Sequence, residues 1–481
     1  MRKTFPLHLL AFALLSASPL RSQTPIDTVL LQLKSEIPFA RQGLPQTVVQ
    51  DQLGRPYCYV AAKEGGLRVF NIQNIAAPVP VKTIPVTALA GEEAMNLWQE
   101  GNYLYLALGN FFSANDPRKP GLAIVDVSDP KNAFVTDTWL GDKAERGSAF
   151  VTVSGNYAYL GAMSQGLFIL NVAAKNDIQF VSQYIPDIHF PLPNPGSVAL
   201  PNARGMAVRG DQVFLCYDAG GLRVIDVADK SKPKQAHRYI NPAALGKQQA
   251  YNNIALHGDT AYLAVDFCGL EILDVSDLSD IAELAWWNPW DCQSPANTWL
   301  NSPGHSNQIQ FDSDRRLVFL STGRSELNIV DVSNAAQPRQ VGSYGSPTDN
   351  FFTWGATLHG ERVYLTYISS LFPFFSVWSG VKILDWKATT GTSEAAGNVP
   401  LSLRPNPFGS AFQVEFELPE PGEVLAEMWD AQGRRVAVWA ASHFPAGKNL
   451  LTWEGDVAPG LYTLRLATAQ GVGVKTVVAF R

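Results

Sequence analysis

The sequence predicts an all-β protein, a seven-bladed β-propeller closed by an N-terminal strand and followed by a small β-sandwich. Three observations predict it. A short strand carrying a fixed glycine and a fixed Asn or Asp recurs seven times between residues 25 and 387. An aromatic strand keeps register with it, and one alternating apolar segment upstream of the first repeat has no partner in its own unit. The composition agrees. Of 481 residues 46% are apolar and only 17% charged, with 38 Gly and 32 Pro, which excludes a mostly disordered chain and a long helical array. A net charge of -6 without a basic block argues against nucleic acid as the partner.

Arg2 and Lys3 precede an apolar run, Phe5 to Leu15, that is too short to span a bilayer and ends in Ser16-Ala17-Ser18. That is the pattern of a signal peptide over residues 1–22, with Ser18 as an alternative cleavage point, and no second apolar segment of spanning length follows. Export permits disulfides among the four cysteines. The unpaired segment comes next, Asp27 to Ile37, and is expected to supply the outer edge of the seventh blade.

The repeated strand is Val69-Phe-Asn-Ile72, Ile124-Val-Asp-Val127, Ile169-Leu-Asn-Val172, Val224-Ile-Asp-Val227, Ile272-Leu-Asp-Val275, Ile329-Val-Asp-Val332 and Ile383-Leu-Asp-Trp386. Five residues before each Asn or Asp stands a glycine (Gly66, Gly121, Gly166, Gly221, Gly269, Gly380), except that the sixth unit has Glu326. Upstream lies the aromatic anchor: Tyr59, Tyr105, Tyr159, Phe214, Tyr262, Phe319 and Tyr364. It precedes the Asn or Asp by 12 residues in five units and by 21 in the second and last, so one connection has gained nine residues twice. Before five of the anchors a Gly-plus-polar pair, such as Gly155-Asn156, marks a two-residue hairpin. Turns such as Ser128-Asp-Pro130 then lead to a fourth run. Four short antiparallel strands in about 50 residues cannot bury both faces alone but can stack radially on their neighbours.

The units resemble the LVIVD repeat family through Ala123-Ile-Val-Asp-Val-Ser128, the preceding Gly155-Asn-Tyr-Ala-Tyr-Leu160 type of strand and the following Ser-Asp-Pro turn. The resemblance implies a propeller on exported or surface proteins and brings no general catalytic activity.

Composition shifts to small and polar residues over 388–398, a linker, and a unit over 399–481 follows with alternating stretches at Phe412–Leu418, Val424–Met428, Leu461–Leu466 and Val472–Phe480. Its motifs Leu403-Arg-Pro-Asn-Pro-Phe408, Asp430-Ala-Gln-Gly-Arg-Arg-Val436 and Pro459-Gly-Leu-Tyr-Thr-Leu464, with the closing Lys475 to Arg481, resemble the C-terminal sorting domain of the type IX (Por) secretion system. That implies a member of the Bacteroidota, passage through the outer membrane after Sec export and an extracellular or outer-membrane surface location. An ordinary immunoglobulin-like module is the alternative.

Propeller geometry puts the first-to-second and third-to-fourth turns on one face. The other connections share the opposite face, and these hold every elaboration: the insertions 109–120 and 368–379 and the crossings 186–203 and 288–304. This elaborated face is the expected binding surface. Its loop aromatics Phe111, Phe112, Trp290, Trp299, Phe374 and Trp378 are expected either to grip a ligand or to fold back over the blades. The innermost strands start there, so Arg146, Arg204, Asn252, Asn253, His305, Asn307 and Trp354 are expected to rim the channel, a set suited to an anionic or hydroxyl-rich ligand. Cys268 and Cys292 both lie on this face and are expected to form a disulfide, whereas Cys58 and Cys216 read as buried thiols.

Catalytic, metal and cofactor sites are expected to be absent: there is no nucleophile elbow, paired-His zinc motif or phosphate loop. His189 and His305, near Asp187 and Asp291, are the remaining acid-base candidates, and the repeated Asp residues read as turn-fixing groups. The function expected is a surface-displayed, non-catalytic binding module for carbohydrate or protein. The alternatives are a polysaccharide hydrolase or lyase acting at the channel mouth and a structural envelope protein.

Overall fold

The computed structural model describes residues 26–39, 44–110, 115–190, 201–244, 250–371, 374–390, 399–430, 435–468 and 471–480. The expected signal peptide, Phe111 and Phe112 lie outside them. Among the described residues up to Thr390 there are seven four-stranded antiparallel sheets. Six are consecutive in sequence, at 47–84, 94–140, 150–184, 206–239, 251–287 and 309–344. The seventh takes Thr353–His359, Arg362–Tyr367 and Gly380–Thr390 from the end of the repeats and its outer strand, Ile26–Pro38, from the beginning. Val29 faces Ala388 and Ile37 faces Val381 in that pairing. Residues 388–390, expected in the linker, therefore continue the sheet, because the long first strand gives their backbone groups partners.

The innermost strands touch in sequence order from the first sheet to the seventh, and the seventh returns to the first. The apolar cores follow the same circle. Tyr59 packs in a core shared by the first and second sheets, Tyr105 by the second and third, and Tyr159 by the third and fourth. Phe214, Tyr262, Phe319 and Tyr364 continue the series, the last joining the seventh sheet to the first. All seven anchors are buried. Since each sheet is covered on both faces, its middle strands are apolar without interruption, as in Val213-Phe-Leu-Cys216. Truncating one such ring should cost about 3–5 kcal/mol.

The repeated residues have local causes. Asn71, Asp126, Asn171, Asp226, Asp274 and Asp331 each accept the backbone N–H two residues on, at 2.7 to 3.0 Å, and so end the third strand in a turn. Gly66, Gly166, Gly221 and Gly269 have φ of +71° to +84°, and a Cβ on any of them would lie within 2.4 Å of a carbonyl oxygen of the outer strand. Glu326 stands in this conformation too, with φ +50°, and the outer strand beside it continues into Gly345, where a Cβ would lie 2.1 Å from the Glu326 side chain. The exception is thus matched by a second glycine. Cys58 and Cys216 are buried thiols, and burial pushes Cys58 up to about 12.

Residues 399–480 form a three-stranded sheet (Leu401–Arg404, Ala411–Leu418, Gly447–Glu454) and a four-stranded sheet (Gly422–Asp430, Arg435–Phe444, Gly460–Thr468, Gly471–Ala479) around one core that includes Phe412, Val414, Met428 and Leu464. The motif around Asn406 clasps the last strand: its side chain donates to the Thr476 carbonyl and accepts from Val478 N, both at 2.9 Å, while Phe408 is buried. No helix among the described residues is long and apolar enough to cross a membrane.

Candidate functional site

The elaborated face is organised around Asp266, in the single turn of 3-10 helix (Asp266–Cys268) that follows the second strand of the fifth sheet. This carboxylate is buried. His305 Nδ1 lies 2.5 Å from Oδ1, the Trp299 indole N–H donates to Oδ2 at 2.7 Å, and Ser306 N donates to the Asp266 carbonyl at 2.7 Å. Three points of the crossing 288–304 and its continuation are thereby held to one turn. Cys268, two residues on, is disulfide-bonded to Cys292, with Cα atoms 5.1 Å apart. Within the crossing, Asn297 donates to the Trp290 carbonyl at 2.8 Å, and the Trp290 indole lies where a side chain on Gly304 would be. A crossing tied this often is a rigid cover. His305 thus pairs with Asp266 rather than with Asp291, because the crossing turns Asp291 out to the surface.

The seven expected rim residues do gather near the start of the inner strands, but they form a seal instead of an open rim. Asn252, Asn253, His305, Asn307 and Trp354 are buried, and Arg146 and Arg204 half-buried. Arg204, Asn252, Asn253, Asn307 and Trp354 line one cavity of about 30 Å³, room for about a water molecule and no organic ligand. Three of the polar groups are engaged locally: Asn252 donates to the Ser306 carbonyl at 2.8 Å, Asn253 accepts from Ile254 N at 2.8 Å, and the Arg204 guanidinium lies 6.0 Å from the Trp354 ring. A cluster of Leu44, Met95, Ala149, Met163, Phe352 and Ile368 packs with Trp354 at this end. Asn252, Asn253 and Trp354 lie in the first residues of their strands, and Arg146, Arg204, His305 and Asn307 just before theirs.

The described ones among the expected loop aromatics, Trp290, Trp299 and Trp378, turn inward as well. Trp299 serves Asp266, Trp290 packs 6.0 Å from Trp287, and Trp378 lies against Tyr367 at 5.3 Å and Phe351 at 6.3 Å. Phe374 sits in a two-residue strand paired with Leu371, its side chain outside the description. What the loops leave exposed instead is aliphatic or at loop edges: Ile185, Phe190, Leu300 and Val377, the last 74% exposed.

Beside the seal, Asp218 accepts from Asn202 at 2.9 Å, and burial raises its pKa against the pull of Arg204 and Asn202. Lys63 of the first unit bridges Glu93 of the second at 2.7 Å, and within the second sheet's insertion Arg118 bridges Asp116 at 2.8 Å and reaches Glu93 at 3.6 Å. Among the described residues no group of three His, Cys, Asp or Glu has the geometry to hold a metal ion.

Sequence reasoning missed the opposite end of the channel. Between the hairpin turns the inner strands enclose a cavity of about 630 Å³ that opens toward the plain face, bordered at its mouth by Trp98, Ser154, His257 and His359. The signal was present in the Gly-plus-polar pairs: glycines 101, 155, 210, 258 and 360, all with φ of +55° to +58° and open space around them, keep these turns too short to fold over the mouth.

LVIVD repeats are found at residues 91–134, 146–185, 202–240, 250–286 and 319–346. The first and seventh units lie outside these matches, and the seventh is the one that borrows a strand from the other end of the chain. No curated protein matches the chain. Among solved structures, Sqt1 of Saccharomyces cerevisiae is 9% identical, with a TM-score of 0.49 over 95% of this chain and 100% of that one. The WD40 β-propeller domain of Doa1 is 9% identical, with a TM-score of 0.46 over 74% and 97%. YCF48 from Cyanidioschyzon merolae is 11% identical, with a TM-score of 0.47 over 74% and 98%. The propeller rests on the sheets, their cyclic cores and the repeats themselves.

Proposed function

We propose that the chain is an exported binding protein: a seven-bladed propeller over residues 25–387, extended by its last strand to Thr390, followed by a β-sandwich over 399–481 that serves as a type IX sorting domain. Residues 1–22 direct Sec export, the sorting domain directs passage through the outer membrane, and the propeller is displayed at the cell surface. There it acts as a non-catalytic module that recognises a carbohydrate or protein partner through the elaborated face. One observation carries this reading. Ile185, Phe190, Leu300 and Val377 are exposed on that face, and the crossing that carries Leu300 is held by the Asp266 bonds and the Cys268–Cys292 disulfide. Exposed apolar groups on a preorganised surface suit a partner that covers them, at little ordering cost. The sealed channel end beneath them suits a surface partner better than a small molecule.

The sorting role is supported by the clasp of Asn406 on the last strand, which makes two distant motifs one structural feature. The test is a glycan array, together with intact cells of the producing organism, probed with labelled full chain. Saturable binding is expected, and the double variant Leu300→Asp/Val377→Asp should weaken it at least tenfold with Tm unchanged. Binding indifferent to that variant would overturn the reading. Deleting residues 399–481 should leave the propeller inside the outer membrane, where protease added to intact cells does not reach it.

A further inference from the structure

The cavity on the plain face is a separate feature, independent of the elaborated-face reading. It is blind: Phe150, Asn253 and Gln308 line both this cavity and the small sealed one, so they form its floor. Its volume of about 630 Å³ falls in the range of small-ligand sites. Its chemistry is selective. The wall contains no Asp, Glu, Lys or Arg.

Charges of the hairpin turns lie outside the cavity in ion pairs. Arg209 bridges Asp259 at 3.4 Å and Arg315 bridges Glu361 at 2.7 Å between neighbouring sheets, and Lys230 bridges Asp211 at 3.0 Å within the fourth sheet. The wall itself offers an amide and a hydroxyl at Gln310 and Thr357, beside the ring of Trp98, which is 37% exposed at the mouth, while the amides of Asn96 and Gln99 are buried and bonded to Thr47 and Gln52. Burial, helped by Arg362, lowers the pKa of His359, so this histidine is neutral at neutral pH and can both donate and accept.

We infer that this funnel is a binding site for an uncharged, hydroxyl-rich ligand, the terminal sugars of a neutral glycan chain. Amide side chains match sugar hydroxyls, an indole edge or face matches the apolar side of a pyranose, and a wall without formal charge gives an ionised ligand no counter-charge for the water it would lose. The blind floor admits a chain end and excludes a strand threading through.

The test titrates the full chain by calorimetry with maltotriose, cellotriose, laminaritriose, mannotriose and chitotriose, and with trigalacturonate as the charged comparison. At least one neutral trisaccharide is expected to bind. Trp98→Ala and the occluding Thr357→Trp should each weaken binding at least tenfold, about 1.4 kcal/mol. Gln310→Ala, a smaller change, serves if either of those lowers Tm. The Leu300→Asp/Val377→Asp variant should bind these sugars as the native chain does, which separates failure here from failure of the elaborated-face proposal. No binding by any neutral trisaccharide at about 10 mM, equal binding of trigalacturonate, or indifference to all three funnel variants would overturn the inference.

Discussion

At one end of the channel the crossing 288–304 covers the inner strands and is fixed by a carboxylate, a disulfide and an inward-turned indole. At the other end five of the seven inner strands turn back within two residues, and the channel stays open. The contrast teaches that elaboration and accessibility are opposed in this fold. Long loops have enough chain to bury themselves, so the channel is closed at the richest face, while at the face with minimal turns it stays open. The same contrast appears in the glycines. Those near the elaborated face are pressed against a carbonyl, and those of the hairpins have nothing within 4 Å.

The largest effect is expected at the sealed end. Asp266→Ala strips partners from the Trp299 N–H, and from His305 on that side, and should destabilise by about 4 kcal/mol in urea melts; a loss under about 1 kcal/mol would show that the cover is not fixed there. Gly166→Ala combines φ +76° with a Cβ 2.3 Å from the Tyr184 carbonyl, and should cost about 3 kcal/mol.

Glu271 comes next, buried near the same end. Burial raises its pKa to about 7, against hydrogen bonds from Asn241 at 2.9 Å and Tyr251 at 2.8 Å that lower it. Its folded value exceeds the ordinary 4.5, so the folded protein holds this proton more tightly, and the stabilisation present at acid pH is lost as pH rises from about 4.5 to 7. Glu271→Gln should flatten that slope and be more stable than the native chain at pH 8, by on the order of 2 kcal/mol. A parallel pH profile for the two proteins would contradict this.

At the open end the effects should shrink. Gly155→Ala has the same backbone penalty but open space, and should cost about 1 kcal/mol, a third of its counterpart in the same sheet. Glu361→Ala removes an exposed ion pair with Arg315 and should change stability by less than about 0.5 kcal/mol. If Gly155→Ala proved as costly as Gly166→Ala, the contrast between the faces would fail.

The repeating part of this architecture was legible in the sequence because it is periodic. The aromatic anchors, the turn-fixing Asn and Asp residues and the exchanged first strand all follow from register, and Glu326 announced itself by breaking it. Its use did not: Gly345 makes room for it, Tyr367 donates to its carboxylate, and Lys382, 3.3 Å away, lies 4.2 Å from the Phe351 ring and 4.6 Å from that of Tyr367. That cluster joins three segments of the sixth and seventh sheets that no local pattern links. The burial of Asn252, Asn307 and Trp354 was illegible for the same reason. Register says where a side chain starts along its strand, and the non-repeating crossings decide whether water reaches it.

The strand Ile26–Pro38 is synthesised before any repeat and pairs with residues that leave the ribosome some 350 positions later. Until then the growing chain carries a bare β edge past six sheets able to mispair with it, and completing the circle is a contact of extreme sequence separation, the kind that slows folding. For a protein of this design, speed of assembly is governed by how long its first segment waits for its last.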